Sequence, residues 1–400
     1  MHHLLHHLRF SRSKQSPCPY PTRARRFWSA QQPQRRVYAT LLGVLALGLL
    51  TAGCATATTS AGRPTATPED GIGKIKHVII IMQENRSFDQ YFGTYPDADG
   101  LPSNVCVNDP VTGRCIKPFH DQFDMNFGGP HAEASATNDI DGGKMDGFIK
   151  TEEGSKKTGC QNDPNAPACS QNNGAPDVMG YHNGADIPNY WAYAQNFVLQ
   201  DHLFEPNASW SLPAHLFMVS EWSAKCASSD PMSCTNALDG PSGTNVAGND
   251  YAWTDLTYLM YQNHVSWGYY LSNGTEPDCE DDAMICNNNK KLAPKVPGIW
   301  NPLPQFDTVK ADKQVGNIQD VSHFYTAAKD GTLPAVSWIM PDNVVSEHPT
   351  ALVSSGESYV TSLINAVMQS PEWTSTAIFL AWDDWGGFYD HVVPPHVDAN

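Results

Sequence analysis

Basic charge is scarce in this sequence once its first 54 residues are passed. Of the 25 Lys and Arg, 8 lie in residues 1–54, a stretch with no Asp or Glu, leaving 17 basic residues against all 42 acidic ones in the remainder. A body with a net charge near −25 repels nucleic acid and anionic membrane faces, and no nucleic-acid partner is expected. It also offers an anionic substrate no general attraction, so a metal or a local site must supply it. Long apolar runs are missing too. The longest uncharged apolar stretch, Val37 to Leu50, is short for a permanent membrane span. No two cysteines have the Cys-x-x-Cys spacing of a zinc knuckle, and no internal repeat is present.

What is present is organised in three stretches. In residues 1–54, basic residues up to Arg35-Arg36 precede the apolar run, which ends Thr51-Ala52-Gly53-Cys54. This is the layout of an export signal, and Cys54 after Ala-Gly resembles a lipoprotein acceptor, giving a possible membrane tether. The expected location is secreted or in the cell envelope. Residues 55–73 are rich in Ala, Thr, Pro and Gly and read as a flexible linker. A catalytic domain is expected over 74–400. Eight cysteines fall within it as neighbours: Cys106 with Cys115, Cys160 with Cys169, Cys226 with Cys234, and Cys279 with Cys286. An even count in an exported chain implies disulfides, and neighbour pairing is the simplest expectation.

Short apolar runs predict strands at His77–Met82, Asn196–Gln200, Val265–Tyr270, Ala335–Met340 and Thr376–Trp382. Amphipathic patterns predict helices at Pro213–Ala224, Asp255–Asn263, Asp320–Ala328 and Ser358–Gln369. The alternation argues for an α/β fold, a doubly wound, mostly parallel sheet flanked by helices. The polar loops 152–177 and 227–250, stapled by cysteine pairs, are expected to wall a cleft. The chain ends at Asn400, soon after Asp383-Asp384, where a doubly wound sheet is expected to continue. The reading is of a chain cut short at its carboxyl end.

Two of the strands end in oxygen donors. Glu84 and Asn85 follow the first, and Asp383 and Asp384 follow the last. Carboxylates and an amide oxygen suit a divalent cation, of a kind the sequence does not name. Chemistry in open α/β sheets sits just past the carboxyl ends of strands, so two such ends can converge. Taken singly, Glu-Asn and Asp-Asp are ordinary loop or helix-capping residues.

The segments Glu84-Asn85-Arg86-Ser87-Phe88-Asp89, Tyr91-Phe92-Gly93, Gly143-Lys144-Met145-Asp146-Gly147-Phe148, Glu347-His348-Pro349 and Asp383-Asp384-Trp385-Gly386-Gly387-Phe388-Tyr389-Asp390-His391-Val392 occur in this order. Together they resemble the signatures of the bacterial phosphoesterase family, which holds non-specific phospholipases C and acid phosphatases within the alkaline-phosphatase-like superfamily. The resemblance implies that Glu84, Asn85, Asp383 and Asp384 are metal ligands. It implies that Ser211, two places before Pro213 in Ser209-Trp210-Ser211-Leu212-Pro213-Ala214-His215, is a nucleophile, with Ser209 the second choice. It also implies that His131 and His348 contact the phosphoryl group or protonate the leaving oxygen, with His391 a third candidate for proton handling. Where the family often has Asn-Arg after that proline, this chain has Ala214-His215, and where it often has Asp-Glu-His, this chain has Asp383-Asp384-Trp385. Pro213 fits the first turn of a helix, so Ser211 is expected just outside a helix amino-terminus, where a phosphoryl group is stabilised. A plain helix-capping serine is the competing reading. His182, His202, His215 and His264 are read as structural.

The implied activity is hydrolysis of a phosphate ester, on a phospholipid headgroup or on a soluble monoester. Aromatic residues would suit a choline headgroup through cation–π contact and would equally suit an ordinary core, so both branches stay open. The reading of a different class is a non-catalytic surface protein whose acidic cluster only binds a cation.

Overall fold

The first strand begins at His77, and its apolar residues alternate between two separate cores. Ile79 and Ile81 enter one core, while Ile80 and Met82 pack against the other. This is the two-sided burial expected of a strand with helices on both faces. The computed structural model describes residues 71–155, 171–240, 251–278 and 290–396. The leader, most of the linker, Cys54 and the pairs Cys160–Cys169 and Cys279–Cys286 lie outside the described residues.

Among the described residues the central sheet has five strands, β1 (His77–Gln83), β2 (Trp267–Leu271), β3 (Ile318–Asp320), β4 (Val336–Met340) and β5 (Thr376–Trp382), in the spatial order β5-β1-β4-β2-β3. Every pairing is parallel. Nine α-helices are described: α1 (Phe88–Phe92), α2 (Glu133–Ile140), α3 (Phe148–Gly154), α4 (Pro188–Asn196), α5 (Ser211–Ser220), α6 (Leu256–Gln262), α7 (Asp307–Ala311), α8 (Val321–Asp330) and α9 (Val353–Met368). On one face of the sheet, Leu212, Leu216 and Val219 of α5 pack with Trp267, Tyr269, Trp338 and Met340. On the other, Phe324 of α8 and Val360, Leu363, Ile364 and Val367 of α9 pack with Ile79, Ile81, Tyr270 and Ile339. The expected doubly wound α/β sheet is therefore the observed architecture.

Asp255 and Asp320 start α6 and α8 by accepting the backbone N–H of Thr257 and Ser322 through their side chains. Cys106–Cys115 and Cys226–Cys234 are disulfides between neighbours, the second closing the hairpin Ala224–Cys226 with Cys234–Asn236. Two readings are corrected. Residues 196–200 form no strand: α4, opened by Pro188, runs through Asn196, and Phe197 and Val198 emerge 54% and 82% exposed. An apolar run becomes a strand only where a neighbour accepts its hydrogen bonds, and none pairs here among the described residues. The α5 helix begins two residues earlier than expected, so Ser211 is its first helical residue rather than lying outside it.

Candidate active site

The register of the sheet assembles the site. Gln83, the last residue of β1, pairs with Trp382, the last residue of β5, so Glu84 and Asp383 leave the sheet side by side. Asp383 N–H donates to Gln83 O (3.0 Å), and Asn85 N–H donates to Asp383 Oδ1 (3.1 Å). Asn85 is left-handed, with φ 58°. Gly386 closes over it: a Cβ there would lie 2.5 Å from Asn85 O, at a φ of +59°. Only glycine fits both restraints. The motif around Met145 and Phe148 packs under this segment, the Phe148 ring 5.2 Å from that of Tyr389.

Helix α5 brings Ser211 to the same point. Its Oγ donates to Glu84 Oε2 (3.2 Å) or Asp384 Oδ2 (3.3 Å), and it caps no backbone N–H. The capping reading of Ser211 is therefore set aside. Ser209 instead donates to Asp239 (2.9 Å). Glu84, Asn85, Ser211, Asp383 and Asp384 are all buried. Among the described residues no Lys or Arg pairs with the three carboxylates. Burial pushes the Glu84 and Asp384 carboxyls well up, and the neighbouring Asp383 charge pushes them further. Burial acts the same way on Asp383, but the adjacent His215 imidazole and Glu84 carboxyl outweigh it and hold that carboxyl below the usual range.

The donor set fits a divalent cation. Asn85 Oδ1 and Asp383 Oδ2 are buried with no hydrogen-bond partner, and an oxygen so placed is costly unless a ligand takes it up. Glu84, His215 and Asp383 offer one donor atom each within 4.8 Å of one another.

A second group adjoins the first. His131 Nε2 is 3.2 Å from Asn85 Nδ2, and its Nδ1 is 3.0 Å from Gly129 O. Asp278 lies between His131 (3.7 Å) and His348 (3.3 Å). Burial disfavours the charged form of His131, yet the Asp384 charge and the Asp278 hydrogen bond raise its pKa well above the ordinary histidine value. Asp278 is correspondingly held far below the carboxylate range, against its burial, by the two imidazoles. Four strand ends thus supply the site: Glu84 after β1, Asp278 after β2, His348 after β4 and Asp383-Asp384 after β5.

Other sequence candidates lie elsewhere. Arg86 and Glu347, both inside signature segments, are packing elements. The Arg86 guanidinium donates to Asn126 Oδ1 (2.7 Å) and Glu347 O, while the Glu347 carboxylate accepts from Tyr91 (2.7 Å), Tyr190 and Trp382 (2.9 Å). His391 pairs through Nδ1 with Asp89 (2.8 Å) in a separate cluster with Asp390. His182 is held by Asn126, with burial and the Arg86 charge lowering its pKa to about 4; His202 is exposed against Asp99, and His264 is exposed. His215, read from sequence as structural, instead stands 3.4 Å from both Glu84 and Asp383. Its signal was its spacing: four residues beyond Ser211, it shares that residue's helix face. Asp278 and Trp300, which donates to Glu84 Oε1, sit in loops with no local pattern to mark them.

The His391–Asp89 contact makes one stability prediction. The Asp89 hydrogen bond raises His391 to about 9. A raised histidine contributes stability fully below its unfolded value of about 6.5 and loses it as pH rises through the folded one. His391→Gln should lower stability near pH 7 by about 2 kcal/mol, because Asp89 is left buried without its cation. Thermal unfolding from pH 6 to 10 should show the gap to wild type narrowing between about pH 6.5 and pH 9 and levelling off above it; a gap independent of pH would refute the charged pair.

A cavity lies beside Asp384, walled by Trp382, Trp385, Phe88, Phe148 and Phe204. The profile of the Phosphoesterase family matches residues 75–400. The chain is 28% identical over 375 residues to the non-hemolytic phospholipase C of Burkholderia pseudomallei, an alignment covering 84% of this chain and 47% of that protein. It is 26% identical to phospholipase C B of Mycobacterium tuberculosis, over 80% of this chain and 60% of the relative. It is 23% identical to non-specific phospholipase C3 of Arabidopsis thaliana, over 84% and 59%. The chain therefore spans roughly half of the length of the curated relatives it matches. With its parallel sheet, its signature segments in order and a match over most of its length, this chain belongs to the Phosphoesterase family.

Proposed function

We propose that this chain is an exported, metal-dependent phosphoesterase that acts through Ser211. The observation that carries the reading is the placement of the Ser211 hydroxyl: buried, at the first residue of a ten-residue helix, and within 3.3 Å of carboxylates from two strand ends. Glu84, Asn85, Asp383 and Asp384 would hold the ion. When bound, such an ion neutralises phosphoryl oxygen charge and lowers the serine hydroxyl pKa. Ser211 Oγ then forms a bond to phosphorus as the bond to the leaving alcohol breaks, and water hydrolyses the phosphoserine. The α5 amino-terminus favours the anion. The raised pKa of His131 keeps a proton available at neutral pH, which suits protonation of the leaving oxygen by His131 or its neighbour His348.

The names of the relatives and the cavity walled by tryptophan and phenylalanine beside Asp384 favour a phosphodiester with a cationic headgroup over a small monoester. Export is supported by the leader composition and by the two disulfides, and a lipid tether at Cys54 by the leader alone. The test is hydrolysis of p-nitrophenyl phosphorylcholine and p-nitrophenyl phosphate by the full chain, with and without chelator. Chelator-sensitive turnover with preference for the diester is expected. A folded protein that turns over neither ester, whatever metal is supplied, would return the cluster to the role of a cation-binding surface protein.

A further inference from the structure

His215 is completely buried on the face of α5 that carries Ser211, and neither of its ring nitrogens has a hydrogen-bond partner. Its Nε2 lies 3.4 Å from Glu84 Oε1 and 3.4 Å from Asp383 Oδ2. Both separations exceed the 2.7–3.2 Å or so of an N–H···O hydrogen bond. They do match the spacing of neighbouring ligands on one ion: donors about 2.1 Å from a metal and about 90–110° apart stand about 3.0–3.4 Å from each other. The other half of the triangle has the same character. Asp383 Oδ1 is occupied by the backbone N–H groups of Asn85 (3.1 Å) and Asp384 (2.9 Å), which aim that carboxylate, while Oδ2 is unpartnered. Glu84 Oε1 is fixed by Trp300 Nε1, and the Trp300 ring stands edge-on to the imidazole at 5.2 Å. The imidazole is therefore held by its neighbours at a point where three donor atoms face a common centre.

We propose that His215 Nε2 is a ligand of the metal in this site, alongside Glu84 and Asp383. The inference rests on the metal reading above and deepens it. A buried imidazole among carboxylates makes a mixed nitrogen and oxygen site, which selects a d-block divalent ion such as Zn²⁺ or Mn²⁺. Ca²⁺ and Mg²⁺ prefer oxygen donors throughout.

The test reads binding and spectroscopy rather than activity. The full chain, stripped of metal and loaded with Mn²⁺, should show ¹⁴N hyperfine coupling in pulsed electron paramagnetic resonance. The coupling should persist in His131→Gln and vanish in His215→Gln. Calorimetric titration should show Zn²⁺ binding weakened at least about tenfold in His215→Gln, with Ca²⁺ binding changed less than about threefold. Bound Mn²⁺ without nitrogen coupling in the wild type overturns the proposal while leaving the metal site intact, and needs no variant to fold. Coupling that survives in His215→Gln and is lost in His131→Gln overturns it in favour of the other histidine. No binding of any divalent ion overturns both this proposal and the metal reading beneath it.

Discussion

Replacing Ser211 with alanine should lower kcat/KM for the phosphodiester by about 10⁴-fold or more, the scale seen when the nucleophile of a hydroxyl-dependent hydrolase is removed. The loss should be chemical rather than structural. Ser211 makes no capping contact at the start of α5, so the helix does not depend on its oxygen. Alanine is the better helix former, and the substitution removes only a hydroxyl that donates to one of two carboxylates. Thermal stability should therefore change by less than about 1 kcal/mol. Ser209→Ala is the matched control. Its hydroxyl donates to Asp239, away from Glu84 and Asp384, and its removal should cost less than about threefold in rate. Steady-state kinetics on both variants decide the matter. Wild-type turnover by the Ser211 variant, or a collapse confined to the Ser209 variant, would move the nucleophile two residues upstream.

Metal removal should destabilise the protein most at neutral and alkaline pH. Glu84, Asp383 and Asp384 are buried together without a Lys or Arg partner among the described residues. Burial and mutual repulsion raise the Glu84 and Asp384 carboxyls above their unfolded values. A raised carboxyl gives up its proton at lower pH in the unfolded chain than in the folded one, so metal-free stability falls as pH rises above the unfolded value near 4. An ion present at about 100 times its Kd returns about 2.7 kcal/mol. Chelation at pH 7.5 should thus lower Tm by about 5 °C, with a smaller effect near pH 5. Asp384→Asn should raise the Tm of the chelated protein while abolishing turnover, because an amide oxygen can still accept the Gly386 N–H (2.7 Å in the wild type) without adding charge. Differential scanning calorimetry at the two pH values tests both statements, and a Tm indifferent to chelator throughout would remove the ion from the site.

The correct and incorrect strand readings share one cause. β1 and β5 were legible because β-branched and aromatic runs of seven residues end abruptly in polar ones. The apolar run after Asn196 has the same local character, yet it leaves α4 into solvent. Composition reports what a segment would accept, whereas a neighbouring strand decides whether it is offered. β3 was missed for the converse reason. It is three residues long and runs into the cap of α8 at Asp320, so its pattern is too short to register beside the helix.

The site divides along the same line. The sequence by itself determined the alternation of elements and the carboxylates at the ends of β1 and β5. Each of these is set within a few residues by backbone geometry and side-chain size. Only the tertiary structure decided that Gln83 pairs with Trp382 across 299 positions of chain, that Asp278 bridges His131 and His348, that His391 stands apart with Asp89, and that Glu347 anchors a core while its neighbour His348 faces the site. Those outcomes depend on hydrogen-bond register and on which buried charges find partners, and both are settled between segments far apart in sequence, where local periodicity carries no information.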